Sequence, residues 1–280
     1  MSKSFKQGIK HSVILLGSAV LIAACAQDNV AQRHIELAGT SAVTGPLSQN
    51  IQSLLNATNT SYITLGVFDR STRDSQEGSV PDEIATSGSG FIIDEANGLA
   101  LTAAHVAVTQ GWTIKARGPD GRLYQGRVLK TAPKKDTALI KFSSTRGLTR
   151  VHPARSACLK PGDPVFSLGK PSKKGDTARL GTVASMSFGH AVDYRGYGYP
   201  DALVVRLRTE KGESGGPLFN EEGHLVGMIV STVTDNTGRS LGLAHALPLP
   251  LLASTICSAG NCPPAWRIHL GTSTKNCPTS

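Results

Sequence analysis

The sequence predicts an all-β protein, and three observations lead to this prediction. From Tyr62 onward, short β-branched runs are separated by Gly, Pro, Asp and Asn residues, which is typical of a β-barrel or β-sandwich. Long amphipathic helices do not alternate with these runs. When the first 24 of the 280 residues are set aside, the remainder suits one large domain built as two half-barrels.

The expected strands fall into two sets. The first set includes the turn signal Gly118-Pro-Asp-Gly121, and its strands are predicted over 62–68, 88–93, 99–103, 112–117, 122–130 and 137–142. A bridge over 143–164 leads to the second set, which is predicted over 165–168, 178–187, 202–207, 218–220, 225–233 and 241–247. A short closing helix is predicted over 249–258.

The glycine-rich segment Lys211-Gly-Glu-Ser-Gly-Gly-Pro-Leu218 makes Ser214 a candidate nucleophile. A serine hydroxyl needs a base to take its proton and donors to hold the oxyanion that forms. Gly212 can adopt backbone angles closed to other residues, which directs its N–H and that of Ser214 toward one point. The alternative is a hairpin turn whose serine only caps a backbone group. The choice depends on partners elsewhere in the chain.

The order of the candidate partners separates two enzyme architectures. An α/β-hydrolase has Ser, then acid, then His, whereas the chymotrypsin arrangement has His, then Asp, then Ser. The residues after Ser214 (215–280) are too few for a hydrolase sheet and cap. His105 and Asp136 precede it, and each is bordered by strand-like apolar residues. The order His105, Asp136, Ser214 favours the second architecture.

Six segments carry a resemblance to a known family. They are Ser87-Gly-Ser-Gly-Phe-Ile-Ile93, Leu101-Thr-Ala-Ala-His105, Asp136-Thr-Ala-Leu-Ile-Lys141, Ser167-Leu-Gly-Lys-Pro171, Gly212-Glu-Ser-Gly-Gly-Pro217 and Leu225-Val-Gly-Met228. With these segments the chain resembles trypsin-like (chymotrypsin-fold) serine proteases of the bacterial HtrA type. The resemblance implies two six-stranded antiparallel β-barrels with a short C-terminal helix, and a catalytic site in the cleft between them.

The resemblance also implies a role for each candidate residue. His105 would be the general base, Asp136 would orient it, and the backbone N–H groups of Gly212 and Ser214 would form the oxyanion hole. The substrate would lie against Met228, Ile229, Val230 and Ser231, with its pocket lined by Arg208, Thr209, Ala244 and His245. No acidic residue stands at the pocket base, which disfavours cleavage after Lys or Arg. An inward Arg208 would favour acidic residues, and an outward one remains the alternative.

Three departures from the family pattern qualify the resemblance. No Cys follows His105, Glu213 stands where relatives have Asp or Asn, and no Arg-Ile-Val-Gly-Gly segment precedes the first strand. We therefore expect no activation by a newly freed N-terminus. The Glu213 carboxylate must then find another partner, either Lys211, an arginine or local backbone amides. The loop over 189–200 is either a substrate or regulatory loop or a variable surface loop.

The first 24 residues read as an export signal. Three lysines precede an apolar run over 13–24 that is too short to cross a membrane. The run ends in Leu21-Ile-Ala-Ala-Cys25, which resembles the lipobox of bacterial lipoproteins and implies a lipid anchor on Cys25; Ala26 after it implies the outer membrane, facing the periplasm. An ordinary signal peptide with a free Cys25 is the alternative.

The rest of the chain is divided into three parts. Residues 25–58 are interpreted as a flexible tether and 59–258 as the protease domain. Residues 259–280 form a cysteine-containing tail that is too short for a PDZ domain.

The remaining cysteines and the charge limit the other partners. An exported protein favours disulfides, and Cys158, Cys257, Cys262 and Cys277 allow three connectivities, of which Cys257–Cys262 with Cys158–Cys277 is preferred. Their spacing does not indicate zinc, and no metal or cofactor is predicted.

The formal net charge is +9, but the sequence has no basic patch with aromatic residues between the basic ones. Binding of nucleic acid is therefore not expected. Protein or peptide substrates are expected, and the oligomeric state is left open. The competing function is a catalytically silent binding module that captures peptides.

Overall fold

Two closed six-stranded antiparallel β-barrels make up the fold, as the sequence predicted. The computed structural model describes residues 33–38, 45–69, 84–155, 159–258, 260 and 262–271. In chain order the helices and strands are β1 (Ile35–Ala38), α1 (Pro46–Thr58), β2 (Tyr62–Phe68), β3 (Ile84–Asp94), β4 (Leu99–Thr102), α2 (Ala104–Ala107), β5 (Thr113–Arg117), β6 (Leu123–Ala132), β7 (Thr137–Phe142), β8 (Pro164–Gly169), β9 (Asp176–Ser185), β10 (Val192–Tyr194), β11 (Tyr197–Tyr199), β12 (Leu203–Arg206), β13 (Pro217–Asn220), β14 (Leu225–Thr234), β15 (Ser240–Pro248), α3 (Leu249–Cys257) and α4 (Pro264–Arg267).

The first barrel has the strand order β2-β3-β4-β7-β6-β5 and closes between β5 and β2. Its strands alternate as expected for a barrel with a filled interior. In β5, for example, Ile114 and Ala116 are buried, and the residues on either side of each are half-exposed. The short helix α2 follows β4 directly, so the strand that lines the barrel also delivers His105 to its rim.

The second barrel has the order β8-β9-β12-β15-β14-β13, and a further pairing between β13 and β8 closes it. Strands β10 and β11 form a separate two-stranded hairpin between β9 and β12. Helix α3 follows β15 and buries Leu249, Leu252, Ala253 and Ile256. The closing helix that the sequence predicted is therefore present.

The segment before the first barrel differs from the flexible tether that the sequence predicted. Residues 35–38 form β1, which pairs in parallel with β9 from Asp176 to Arg179. Residues 46–58 form α1, whose buried face carries Leu47, Ile51 and Leu55 at a spacing of four residues. The tether interpretation was wrong for these two stretches. The segment has few apolar residues, and the sequence alone does not show that the protein surface covers them. For this reason the helix and the strand could not be predicted.

A buried carboxylate joins this segment to both barrels. Asp176 at the start of β9 accepts the Tyr62 hydroxyl at 3.0 Å and the Arg117 guanidinium at 2.7 Å. The Nε of Arg33 lies 3.3 Å from the same carboxylate. Arg33 also donates to the backbone carbonyls of Tyr62 and Arg117, at 3.0 and 2.6 Å. Residue 33 thus contacts the first barrel through carbonyls and the second through Asp176.

The cysteine prediction is only partly within the described residues. A disulfide joins Cys257 at the end of α3 to Cys262. The other pair, Cys158 with Cys277, lies outside the described residues, as do Cys25 and the predicted export signal over 1–24. Among the described residues, no helix has the length and apolar character needed to cross a membrane.

Candidate active site

The predicted base and acid lie in direct contact at the rim of the first barrel. His105 is on α2, and Asp136 follows a single 3₁₀ turn over Pro133–Lys135 that precedes β7. Asp136 has a left-handed backbone with a φ of 42°, which Asp tolerates better than most residues. Its fully buried carboxylate lies 2.9 Å from Nδ1 of the His105 ring and accepts the His105 backbone N–H at 3.0 Å. The ring is therefore held by Nδ1, which leaves Nε2 for another partner.

The first barrel also holds the loop that carries Ser214. This loop lies between β12 and β13 of the second barrel. Ser89 on β3 donates its backbone N–H to the Ser214 carbonyl at 2.9 Å and its hydroxyl to the Gly212 carbonyl at 2.8 Å. Ser89 lies in the family-like segment over 87–93, but its role depends on contacts with residues far away in the sequence. Its contacts bring the candidate nucleophile to the boundary between the barrels.

The backbone of the Ser214 loop leaves two N–H groups unused. Gly212 and Gly215 have φ angles of 98° and 84°, and a Cβ on either would lie 2.3 or 2.2 Å from a carbonyl oxygen. The Lys211 carbonyl accepts the backbone N–H and hydroxyl of Ser172, at 2.8 and 3.1 Å. Because the peptide is trans and planar, the N–H of Gly212 points to the opposite side. Among the described residues, neither this N–H nor that of Ser214 donates a hydrogen bond.

The Ser214 hydroxyl rests on the neighbouring strand. It donates to the carbonyl of Val230 at 3.1 Å, and none of the described hydrogen bonds joins it to the His105 ring. Val230 is the extra residue of a β-bulge, since Ile229 pairs with Ala246 and Ser231 with His245. A bulge takes one carbonyl out of the ladder. The Val230 carbonyl is therefore available to a group outside the sheet.

The carboxylate next to Ser214 has its partner within the second barrel. Arg179 on β9 donates through Nε to both oxygens of Glu213, at 2.7 and 2.9 Å, and the backbone N–H of Glu210 donates to the same carboxylate. Of the three predicted partners, an arginine and a local amide are thus the ones found. Burial raises the pKa of Glu213, and the Arg179 charge opposes this shift. Both side chains are more than nine-tenths buried.

The hairpin β10–β11 adds a residue that sequence reasoning missed. Tyr194 donates its hydroxyl to Oδ2 of Asp136, and this hydroxyl lies 3.0 Å from Nδ1 of His105. Burial and the Asp136 charge raise the pKa of Tyr194, so its phenol stays protonated. The rings of Tyr194 and Tyr197 approach the imidazole edge-on, with centroids 5.8 and 6.2 Å away. The tyrosines of the 189–200 loop are evident in the sequence. Their contacts with His105 and Asp136 could not be predicted, because these residues lie far away in the sequence.

The predicted substrate pocket is partly assembled. Met228, Ile229 and Val230 are buried on β14, Ala244 and His245 are buried on β15, and Ser231 is half-buried. Thr209 is buried, and its hydroxyl lies 2.7 Å from that of Thr232. Arg208, in contrast, is exposed. The exposure of Arg208 agrees with the outward-facing alternative, and a role for Arg208 in selecting acidic residues stays a prediction.

Comparison with known proteins agrees with this geometry. Residues 88–228 match the model of the trypsin-like peptidase domain family, a stretch that contains all three candidate residues. The chain belongs to this family.

Relatives with curated sequences lie in the HtrA branch. The chain is 32% identical over 163 residues to the periplasmic serine endoprotease DegP of Salmonella typhimurium, covering 58% of this chain and 33% of the relative. It is 34% identical over 168 residues to the serine protease HTRA1 of Xenopus laevis, covering 59% of this chain and 34% of the relative. The chain thus spans about a third of the length of these relatives.

Solved structures show the same fold at lower sequence identity. The active form of the Rv3671c protease from M. tuberculosis superposes with a TM-score of 0.62 at 21% identity, covering 82% of this chain and 92% of that one. Its inactive form gives a TM-score of 0.60 at 21% identity, covering 81% of this chain and all of that one. At this identity the likeness concerns the fold alone.

Proposed function

We propose that this protein is a serine endopeptidase that hydrolyses peptide bonds through His105, Asp136 and Ser214. The observation that carries the proposal is the buried Asp136 carboxylate, 2.9 Å from Nδ1 of His105, at the barrel boundary where Ser89 holds the Ser214 loop. A carboxylate in this position fixes the imidazole with Nε2 free to accept a proton. Serine-type endopeptidase activity also accords with the family to which the chain belongs.

The first chemical step starts with the hydroxyl of Ser214. His105 Nε2 takes its proton while Oγ attacks the substrate carbonyl, and the imidazolium that forms is stabilised by Asp136. The developing oxyanion is held by the unused N–H groups of Gly212 and Ser214. His105 then gives the proton to the leaving amine, which leaves an acyl group on Ser214. Water hydrolyses this ester by the same proton transfers in reverse.

The contact between Ser214 and Val230 gives substrate binding a role in this step. An extended substrate that pairs with β14 beyond Met228, where the pairing with β13 ends, presents a backbone N–H to the Val230 carbonyl. This N–H displaces the Ser214 hydroxyl, which now occupies that carbonyl at 3.1 Å. The released hydroxyl then turns toward His105. A substrate thus promotes the alignment of the nucleophile that attacks it.

Two variants test the proposed chemistry. Ser214→Ala abolishes peptide hydrolysis with the fold intact, because the lost hydroxyl contributes little to packing. Asp136→Asn lowers kcat by about four orders of magnitude, since the amide favours the wrong imidazole tautomer. Circular dichroism and kcat for a peptide substrate are the measurements. Near-native turnover in either variant would contradict the assignment, whereas a folded wild type without any turnover would favour the silent binding module.

We also propose that the protein works at the bacterial cell envelope, anchored through a lipid on Cys25. The support is the Leu21-Ile-Ala-Ala-Cys25 segment together with relatives whose names describe periplasmic endoproteases. The test is radioactive palmitate labelling and membrane fractionation of the full chain and its Cys25→Ala variant. The variant loses the label and moves to the soluble fraction. Unchanged membrane association would refute the anchor, although it leaves the proteolytic proposal untouched.

A further inference from the structure

One buried side chain beside Ser214 has a hydrogen-bonding atom without a partner. His245 on β15 is 5% exposed, and among the described residues its Nε2 atom has no hydrogen-bond partner. Leaving a buried polar group without a hydrogen-bond partner is energetically unfavourable. Such an atom therefore calls for an explanation, and its surroundings point to a ligand.

The position of His245 relates it to the nucleophile through the sheet. The Ser214 hydroxyl lies on the Val230 carbonyl, and the next residue, Ser231, pairs with His245 across β14 and β15. Tyr199 joins these two, with its hydroxyl 2.9 Å from Ser231 Oγ and 2.8 Å from His245 Nδ1. His245 therefore lies on the strand next to β14, about 4.8 Å away. It is opposite Ser231, the residue that follows the Val230 contact of the Ser214 hydroxyl.

Polar groups from a third segment reach the same region. Thr209 lies in the segment that leads to Ser214, and its hydroxyl is 2.7 Å from that of Thr232. Thr232 pairs with Ala244, the residue before His245. Thr209 and Thr232 therefore place two hydroxyl groups next to the strand position of His245, on the Ser214 side of the sheet.

We propose that His245, held by Tyr199, selects substrates with Gln or Asn immediately before the scissile bond. This inference rests on the proposed endopeptidase function and names its substrate class. A neutral imidazole donates from one ring nitrogen and accepts at the other. When Ser231 donates to Tyr199 and Tyr199 donates to Nδ1, the proton of His245 is on Nε2. Nε2 then donates to the side-chain carbonyl oxygen of the amide.

The charges around His245 favour an amide over a carboxylate. Burial lowers the pKa of His245, the nearby His190 lowers it further, and Asp201 opposes the shift. The ring is neutral at pH 7, so a carboxylate buried against it would lack a compensating charge. Burial raises the pKa of Tyr199 to about 12, which keeps its phenol protonated and able to donate.

A second layer fixes the imidazole in place. The Phe188 ring packs on His245 with centroids 4.2 Å apart. Asp201 holds Phe188 by accepting its backbone N–H at 2.8 Å. The Tyr199 ring meets His245 edge-on. An imidazole held on two sides can distinguish substrates by hydrogen bonding, since it cannot turn away from a substrate that lacks the matching group.

The test uses fluorogenic peptides that differ only at the residue before the scissile bond. Gln and Asn are compared with Met and Leu, which have nearly the same sizes without the amide, and with Glu. We expect kcat/KM for Gln or Asn to exceed that of its apolar counterpart by about tenfold or more at pH 7.5. We expect Glu to be poor at that pH and to gain relative to Gln as the pH falls and His245 becomes protonated. Equal or faster cleavage of the Met and Leu peptides would overturn the inference.

Two variants connect the preference to this contact. His245→Phe removes the donor, and Tyr199→Phe keeps the packing but frees the tautomer; both should reduce the amide-to-apolar ratio of kcat/KM toward one. His152→Phe, a change of the same kind at an exposed histidine, should leave the ratio unchanged. If His245→Phe does not fold, Tyr199→Phe and the wild-type ratio decide. A ratio that survives in Tyr199→Phe contradicts the proposed tautomer.

A fluorophosphonate probe separates this inference from the function on which it rests. The probe reacts with an activated serine, and it has no amino-acid side chain that His245 could bind. Absence of labelling at Ser214 would overturn the proposed function. Labelling at Ser214 together with a preference for apolar residues would overturn only the role of His245.

Discussion

The hydroxyl of Tyr194 donates to the carboxylate of Asp136 and lies 3.0 Å from Nδ1 of His105. The carboxylate that orients the imidazole is therefore shared between two donors. Tyr194 comes from the hairpin β10–β11 of the second half of the chain, whereas both of its partners belong to the first barrel. Through this contact the hairpin stabilises the position of Asp136 and His105 across the cleft.

We expect Tyr194→Phe to lower kcat by about tenfold with little change in KM. A hydrogen bond to a charged group contributes about 1.5–3 kcal/mol, and about 1.4 kcal/mol in the barrier corresponds to a factor of ten. Tyr197→Phe is the matched control, because the Tyr197 ring also lies against His105 but its hydroxyl makes no hydrogen bond among the described residues. Equal effects of the two variants on kcat would show that the rings, and not the Tyr194 hydroxyl, are what matters.

The ion pair behind Ser214 predicts a pH-dependent loss of stability. Arg179→Met leaves the Glu213 carboxylate buried without its cation and should destabilise the fold by about 3–5 kcal/mol near neutral pH. The folded-state pKa of Glu213 is already raised by burial and rises further without Arg179. Because a raised carboxyl pKa lowers stability as the pH rises through it, the gap in Tm between variant and wild type should widen from pH 4 to pH 7.

A double variant distinguishes pairing from packing at this position. In Arg179→Met/Glu213→Leu the unpaired charge is gone, so Tm should recover most of the loss. Peptide hydrolysis should not recover, because the Glu210 N–H has lost its acceptor beside the Ser214 loop. A double variant as unstable as Arg179→Met would show that the shape of the arginine, and not its charge, is required.

Much of this site was predictable because the decisive residues lie in local patterns. The order His105, Asp136, Ser214, the glycines around Ser214 and most strand positions can be read from short segments. The partner of Glu213, the target of Tyr194 and the neighbours of His245 cannot, since each joins segments distant in sequence. The helix over 46–58 was missed for a similar reason: Leu47, Ile51 and Leu55 mark a buried face only once the covering surface is known.

The buried carboxylate between the barrels should matter far more than an exposed one. Asp176→Ala removes the negative charge that pairs with the buried guanidinium of Arg33. We therefore expect the free energy of unfolding to fall by about 3–5 kcal/mol. Asp193→Ala is the control: it removes an ion pair with Lys134 that is equally short, 2.7 Å, but whose side chains are 65–72% exposed. Such a pair contributes at most about 1 kcal/mol. Urea denaturation measures both, and similar losses would contradict the role given to Asp176.

Activity should not depend on which residue begins the chain. Glu213 is paired with Arg179, so no freed amine is needed beside the Ser214 loop. Two proteins that start at residue 31, one with an added N-terminal Ile and one with an added N-terminal Ser, should show the same kcat/KM. A protein that begins at residue 59 lacks β1 and α1 and should have a lower Tm. Activity confined to one freshly cleaved terminus would contradict this account.

The most direct test of the account is covalent labelling of Ser214 by a fluorophosphonate probe, with the labelled peptide identified by mass spectrometry. Wild-type protein should react at Ser214 alone, His105→Ala should react at a rate lower by several orders of magnitude because the base is missing, and Ser214→Ala should not react. An unlabelled wild type, or labelling that is equally fast without His105, would contradict the claim that these residues form an activated serine.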